Sequence, residues 1–174
     1  MKGTILKCMG EMVTSLFGED KWQKILEMSG LRKEKMFLPI GDVDDHLALK
    51  IVDSACKVLN INLSQAADAF GEYWMNVYAP KIYGIFYQKN KGAKDFLLDM
   101  DNVHVKMTET LQGSQPPRFK YEWKDKNTLI IHYISKRGLI DFVVGLVKGV
   151  GKYYKEDLKV TKIGSDMVEV AFYK

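Results

Sequence analysis

Apolar residues recur at steps of three and four through the first two thirds of the chain, which is the spacing of helices that bury one face. Gly18 and Gly30 interrupt this pattern, the aspartates around Asp44 and the polar Asn62 and Ser64 favour new helix starts, and Pro80 is expected to end a helix. The pattern therefore predicts five helices, over residues 5–16, 22–26, 47–59, 66–78 and about 93–111.

The periodicity changes to strict alternation after the breaker Gly-Ser-Gln-Pro-Pro at 113–117. Alternating residues over 119–123, and again from Leu129 onward, predict a hairpin of two half-buried strands. A helix over 139–154 and strands over 158–161 and 167–172 come next. Helices, then hairpin, helix and hairpin, predict an α+β fold with a four-stranded antiparallel sheet. We expect one domain, with a helical subdomain over about 1–62 and the remaining helices and the sheet over about 63–174.

Composition narrows the class of protein without naming its function. The 174 residues suit one domain, and 47% apolar with 28% charged residues is ordinary globular usage. A net charge of +4 is too mild to indicate a nucleic acid or membrane partner. Cys8 and Cys56 form no CxxC pair, which excludes a disulfide framework, an all-cysteine zinc site and covalent c-type haem attachment. With no apolar run near the roughly 18 residues of a membrane span, we expect a cytoplasmic protein, and a monomer.

Glycines near the predicted last helix are weak evidence for nucleotide binding. Gly149-Val150-Gly151 begins like a dinucleotide fingerprint, but Tyr154 occupies the third glycine position and no strand directly precedes it. Gly145 and Gly149 are better interpreted as close-packing residues on a helix.

The three histidines, His46, His104 and His132, lack the HxxxH or HExxH spacing of zinc hydrolases. Of these, His104 alone combines an apolar helical stripe with neighbouring methionines. A buried neutral imidazole has two interpretations, a core histidine with both nitrogens satisfied or a single axial ligand to an iron porphyrin. His104 by itself leaves both open.

Residues 133–137, Tyr-Ile-Ser-Lys-Arg, alternate so that Tyr133, Ser135 and Arg137 share one side of an extended chain, about 6.6 Å between successive members. Two hydroxyl donors and a guanidinium would suit a pair of carboxylates. The alternative is a strand end with solvated polar side chains.

These motifs together resemble the haem–nitric oxide/oxygen-binding (H-NOX) family, whose fold is shared with the haem domain of soluble guanylate cyclase. The resemblance covers essentially the whole chain, which looks like a bacterial stand-alone member of the family. Its most specific part is the order of His104, the double proline and the YxSxR pattern. The motifs that carry it are Met1-Lys2-Gly3, Asp42-Val43-Asp44-Asp45, Ala69-Phe70-Gly71-Glu72-Tyr73-Trp74, Met100-Asp101-Asn102-Val103-His104, Pro116-Pro117 and Tyr133-Ile134-Ser135-Lys136-Arg137.

The resemblance implies noncovalent haem b, iron protoporphyrin IX, with His104 as the proximal iron ligand. It implies further that three groups of residues surround the haem. The propionates would be held by Tyr133, Ser135 and Arg137, with Asp45 orienting Arg137; Pro117 would bend the porphyrin; and Ile5, Met100 and Leu146 would line the cavity.

The resemblance also indicates which gases bind. Oxygen-binding relatives carry a tyrosine donor on the helix after the YxSxR motif, and the matching residue here is Phe142. Because bound dioxygen gains most from a hydrogen-bond donor, we expect nitric oxide and carbon monoxide to bind and oxygen to be excluded. The distal pocket would contain Phe142, Trp74, Tyr78 and Met9, with Trp74 or Tyr78 as possible donors.

The family mechanism implies a sensor and not an enzyme. Nitric oxide would bind opposite His104, the proximal bond would break, and the freed helix would shift the N-terminal helices against the sheet. Relatives of this size regulate a separate histidine kinase or cyclic-di-GMP enzyme, which is the expected partner. Two other classes stay open, a haem peroxidase or oxygenase, and a haem-free module that binds an apolar ligand or another protein.

Overall fold

The computed structural model describes residues 1–109 and 114–173, which form two compact units, Met1–Ala66 and Ala67–Lys174. The first unit contains three helices, α1 (Gly3–Phe17), α2 (Glu19–Met28) and α3 (Asp45–Leu59). Gly18 separates the first two with a φ of +98°, a backbone conformation that glycine adopts without strain. The Asp44 side chain accepts from the Leu47 N–H at the start of α3, as its N-cap position favours.

The helices after residue 62 differ from the prediction around Pro80. Here α4 (Leu63–Tyr73) continues through a five-residue π-helix (Trp74–Tyr78) into α5 (Ala79–Lys89). The predicted helix end at Pro80 is therefore wrong. Pro80 is in the first turn of α5, directly after the π-helix, and the chain stays helical through it. The residues after it, up to Lys89, are helical as well.

Two further helices, α6 (Ala93–Thr108) and α7 (Ile140–Tyr154), lie on either side of the first hairpin in the sequence. The start of α6 agrees with its prediction. Leu111, the predicted end of that helix, and Gly113 of the breaker lie outside the described residues.

The sheet has the predicted antiparallel arrangement. Its strands are β1 (Arg118–Trp123), β2 (Thr128–Ile134), β3 (Leu158–Ile163) and β4 (Met167–Phe172), in the order β1-β2-β4-β3. Phe119 pairs with Tyr133 between β1 and β2. Leu129, Ile131 and Tyr133 are buried on one face of β2. The helices together with this four-stranded antiparallel sheet confirm the predicted α+β fold class.

A glycine-lined contact joins α4 to α7. A Cβ on Gly145 would lie 2.1 Å from the carbonyl oxygen of Ala67, and one on Gly149 would lie 2.4 Å from that of Gly71. Both glycines are therefore close-packing residues, as predicted. Among the described residues, no helix is both long and apolar enough to cross a membrane.

Candidate functional site

His104 lies on the fourth turn of α6, partly buried, with its Nδ1 atom 3.2 Å from the carbonyl oxygen of Pro117. A carbonyl only accepts, so Nδ1 must carry the hydrogen of this bond. The lone pair of the neutral ring is then on Nε2. Burial lowers the pKa of His104, which favours that neutral form.

One turn before His104, Asp101 joins α6 to β1. Its carboxylate accepts from Arg118 Nε at 2.8 Å and from Arg118 Nη2 at 2.6 Å, and the Phe119 backbone N–H donates to the same group at 2.8 Å. The Arg118 hydrogen bond, opposed by partial burial and aided by the Phe119 N–H, lowers the pKa of Asp101 to about 2. Asp101 is therefore ionised at neutral pH.

Three rings succeed one another from α6 across the sheet. The His104 and Phe119 centroids are 5.5 Å apart, and those of Phe119 and Tyr133 are 6.1 Å apart. Tyr133 is buried. Met100 and Leu146, which were predicted to line the cavity, are half-buried and pack against the hydrophobic core that contains Tyr133.

The YxSxR residues lie at the end of β2. The strand ends at Ile134, so Ser135 and Arg137 lie in the loop after it. The Arg137 N–H donates to Ser135 Oγ at 3.3 Å, and Arg137 Nη1 donates to the carbonyl of Gln115 at 2.7 Å. Arg137 and His104 are therefore both hydrogen-bonded to the short stretch 115–117.

Three of the four predicted distal residues, Phe142, Trp74 and Tyr78, belong to one aromatic group. Phe142 on α7 meets Phe70 on α4 edge to face, Phe70 stacks on Trp74, and Trp74 stacks on Tyr78 with centroids 5.4 Å apart. Tyr83 also approaches Trp74, at 6.4 Å. The π-helix positions Trp74 and Tyr78, and such helices are frequent at functional sites.

Three of the predicted site residues belong to the first unit. Ile5 is half-buried and Met9 is buried on α1. Asp45 accepts from the N-terminal ammonium of Met1 at 2.7 Å. Its pairing with Arg137 stays a prediction, as does the contribution of Ile5 and Met9 to a cavity.

Asp101 and Arg118 were not predicted to have a role. One signal in the sequence could have found the first, since Asp101 lies three residues before His104 and so shares its helix face. In the described part of the chain, no three His, Cys, Asp or Glu side chains are arranged to hold a metal ion. A haem iron needs only one such protein ligand.

Comparison with known proteins points to one family. The family model described as Haem-NO-binding matches residues 2–162. Soluble guanylate cyclase gcy-32 of Caenorhabditis elegans is 28% identical over 157 residues, which is 87% of this chain and 23% of that protein. The chain thus spans about a quarter of the length of the curated relatives that it matches.

Solved structures agree in fold. An oxygen-binding H-NOX domain related to soluble guanylate cyclases, solved as its oxygen complex, superposes with a TM-score of 0.82 at 23% identity, covering 100% of this chain and 96% of that one. A Cs H-NOX variant carrying 4-cyano-L-phenylalanine superposes with a TM-score of 0.87 at 22% identity, covering 100% and 97%.

Proposed function

This chain belongs to the haem-NO-binding family, and from that premise we propose that it senses nitric oxide at a haem b whose iron is held by His104. Domains of this family bind haem and sense gases, and they are not themselves catalytic. In the related guanylate cyclases the catalytic activity lies in a separate domain.

The hydrogen bond from His104 to Pro117 is the observation that carries the proposal. It fixes the Nδ1–H tautomer and leaves the Nε2 lone pair for a metal. Metal-ligating histidines usually donate their other nitrogen in this way to a carbonyl or carboxylate. A neutral imidazole in a partly buried, aromatic setting therefore fits a haem iron.

The two haem propionates are carboxylates and need hydrogen-bond donors, which the end of β2 supplies. The guanidinium of Arg137 and the hydroxyls of Tyr133 and Ser135 are donors suited to two carboxylates. The Arg137 backbone N–H donates to Ser135 Oγ, which orients the serine hydroxyl. Asp45 is proposed to orient Arg137. Four further residues are proposed to contact the porphyrin: Pro117, Met100, Leu146 and Ile5.

Gas selectivity is proposed to depend on the aromatic group around Phe142. Bound dioxygen is polar and gains from a nearby donor, whereas nitric oxide and carbon monoxide depend on one far less. Phe142 lies edge to face against Phe70 and has no hydroxyl to offer. We therefore propose that nitric oxide and carbon monoxide bind and that oxygen does not. Trp74, Tyr78 and Met9 complete the proposed distal side.

The proposed response begins at His104. Ferrous haem would supply the gas-binding chemistry, and His104 would hold its iron and be released when nitric oxide binds. Release of His104 would free its turn of α6, which can then adopt a second position. A gas shifts such an equilibrium only as far as it favours one conformation. The partner that reads the change is proposed to be a separate histidine kinase or cyclic-di-GMP enzyme in the cytoplasm, bound by a monomeric sensor.

Absorption spectra of the purified, reduced protein test this proposal. We expect a haem spectrum that shifts with nitric oxide and with carbon monoxide and does not shift in air. His104→Ala should lose stable ferrous haem, while the exposed His46→Ala should keep it. A colourless protein would indicate a haem-free binding module, and turnover of peroxide would indicate a haem enzyme. Either result would overturn the proposal.

A further inference from the structure

The turn of α6 that carries His104 is fastened to the start of β1 by four hydrogen bonds. Three of them converge on Asp101, from two nitrogens of Arg118 and from the Phe119 N–H. The fourth joins His104 to Pro117. The donors and acceptors on the β1 side belong to three consecutive residues, so this contact joins one helical turn to one short run of backbone.

The Asp101 carboxylate is the part of this contact that side-chain chemistry determines. Its bidentate pairing with Arg118 fixes direction as well as distance. Its bond to the Phe119 N–H fastens the backbone itself. Asp101 and His104 are three residues apart on α6 and share one face, so holding the first limits how the second can turn.

We infer that Asp101 is a positioning residue, which sets the orientation of the His104 imidazole toward its ligand by fastening α6 to β1. This inference rests on the proposed function, because it takes His104 as the haem ligand. In the described sheet β1 is an edge strand that pairs with β2 alone. Because the hydrogen bonds of the His104 turn lead to residues 117–119, movement of that turn would reach β1 first.

A matched control lies two residues away on the same helix. Asp99 pairs with Lys89 at 3.2 Å, a bond that leads to α5 and not to β1. The Asp99 and Asp101 side chains are similarly covered, at 15% and 20% exposed. Asp99→Asn therefore removes a comparable charge and ion pair from α6 and leaves the link to β1 intact.

The experiment compares Asp101→Asn, Asp99→Asn and Arg118→Gln in two states of the protein. In the haem-free protein, amide hydrogen exchange at Phe119 should become roughly fivefold to tenfold faster in Asp101→Asn, because the neutral amide oxygen that replaces the carboxylate accepts a weaker hydrogen bond. In the ferrous haem protein, resonance Raman should show the iron–imidazole stretching band at lower frequency in Asp101→Asn, because the imidazole is held less well. Asp99→Asn should match the wild type in both measurements.

Arg118→Gln separates the two parts of the contact, since it leaves the Phe119 N–H bonded to Asp101. The double variant Asp101→Asn/Arg118→Gln should change the exchange rate and the iron–imidazole band no more than Asp101→Asn alone, because both substitutions remove the same interaction. An unchanged iron–imidazole band in Asp101→Asn, or an equal shift in Asp99→Asn, would overturn the positioning role. Failure of the proposed function would look different, since His104→Ala would then keep the wild-type haem spectrum.

Discussion

Phe142 on α7 and Phe70 on α4 meet edge to face, with ring centroids 5.5 Å apart and planes at 67°. Edge-to-face contact places the positive rim of one ring on the face of the other and adds about 0.5–1.5 kcal/mol beyond buried area. Phe142 is 8% exposed. The pair thus places only carbon and hydrogen on the proposed distal side, with no hydrogen-bond donor.

Phe142→Tyr should create an oxygen complex. A phenol that donates to bound dioxygen is worth roughly 1.4 kcal/mol, which is about tenfold in oxygen affinity. The measurement is the absorption spectrum of the ferrous protein in air, with oxygen dissociation measured by stopped flow. Phe172→Tyr, which adds the same hydroxyl at the end of β4, should give no such complex. Absence of an oxygen complex in Phe142→Tyr would contradict the placement of Phe142 beside the iron.

Arg137→Gln should lose haem faster than the wild type. The guanidinium is the proposed partner of a propionate, and a charge-assisted hydrogen bond of about 1.5–3 kcal/mol corresponds to at least roughly tenfold in dissociation rate. Transfer of haem to an excess of a haem-free acceptor protein measures that rate. Lys136→Gln is the control, because it removes the same charge from an exposed neighbour. Equal rates in the two variants would exclude Arg137 from the propionate site.

The Asp101–Arg118 pair should make the free energy of unfolding depend on pH in acid. The pKa of Asp101 is about 2 in the folded chain and about 3.9 when unfolded. A lowered folded pKa adds stability that is fully present above the unfolded value and disappears as pH falls through the folded one. Urea unfolding of the haem-free protein should show this loss between about pH 4 and pH 2.

Two variants test the origin of that slope. Asp101→Asn and Arg118→Gln should both be less stable than the wild type at pH 7 and should approach it near pH 2, since each lacks the ionised pair. A wild-type slope retained in Asp101→Asn would assign the acid sensitivity to other carboxylates.

Periodicity predicted most of the fold, because it reports which face of each element is buried. Alternation at Leu129, Ile131 and Tyr133 indicated the buried face of β2, and three- and four-residue steps indicated α1 and α3. The error at Pro80 has a physical cause, since a helix can accommodate a proline by a local distortion, here the π-helix that directly precedes it, without ending. The π-helix was not predicted, because its five residues are far fewer than the roughly 11–18 over which helix periodicity is recognised.

The candidate site was predictable only in part. The residues of the YxSxR pattern are neighbours in sequence, so their common chemistry was visible. The bond between Asp101 and Arg118 was not, because the two residues are 17 positions apart and lie on different elements. Which partner a helical aspartate meets is decided by tertiary packing, beyond the three or four residues over which helix periodicity reports.

The contact of α4 with α7 depends on glycine because the two backbones approach each other directly. A Cβ at Gly145 would lie 2.1 Å from the Ala67 carbonyl oxygen and 2.5 Å from its carbon. Both are backbone atoms, so no side-chain rotation relieves the overlap. Two ion pairs, Lys148 with Asp68 and Lys152 with Glu72, link the same helices, and separating the backbones would weaken them.

Gly145→Ala should therefore lower the free energy of unfolding by about 1–3 kcal/mol or more, the cost of overpacking a rigid contact. Urea unfolding measures it. Gly84→Ala on α5 is the matched control, because a Cβ there meets nothing within 4 Å, and replacing glycine by alanine in a helix gains up to about 1 kcal/mol. Opposite signs for the two substitutions are expected from the close approach of α4 and α7. An unchanged free energy of unfolding in Gly145→Ala would mean that α4 and α7 can move apart without cost. The ring contact between Phe70 and Phe142 could then lengthen with them.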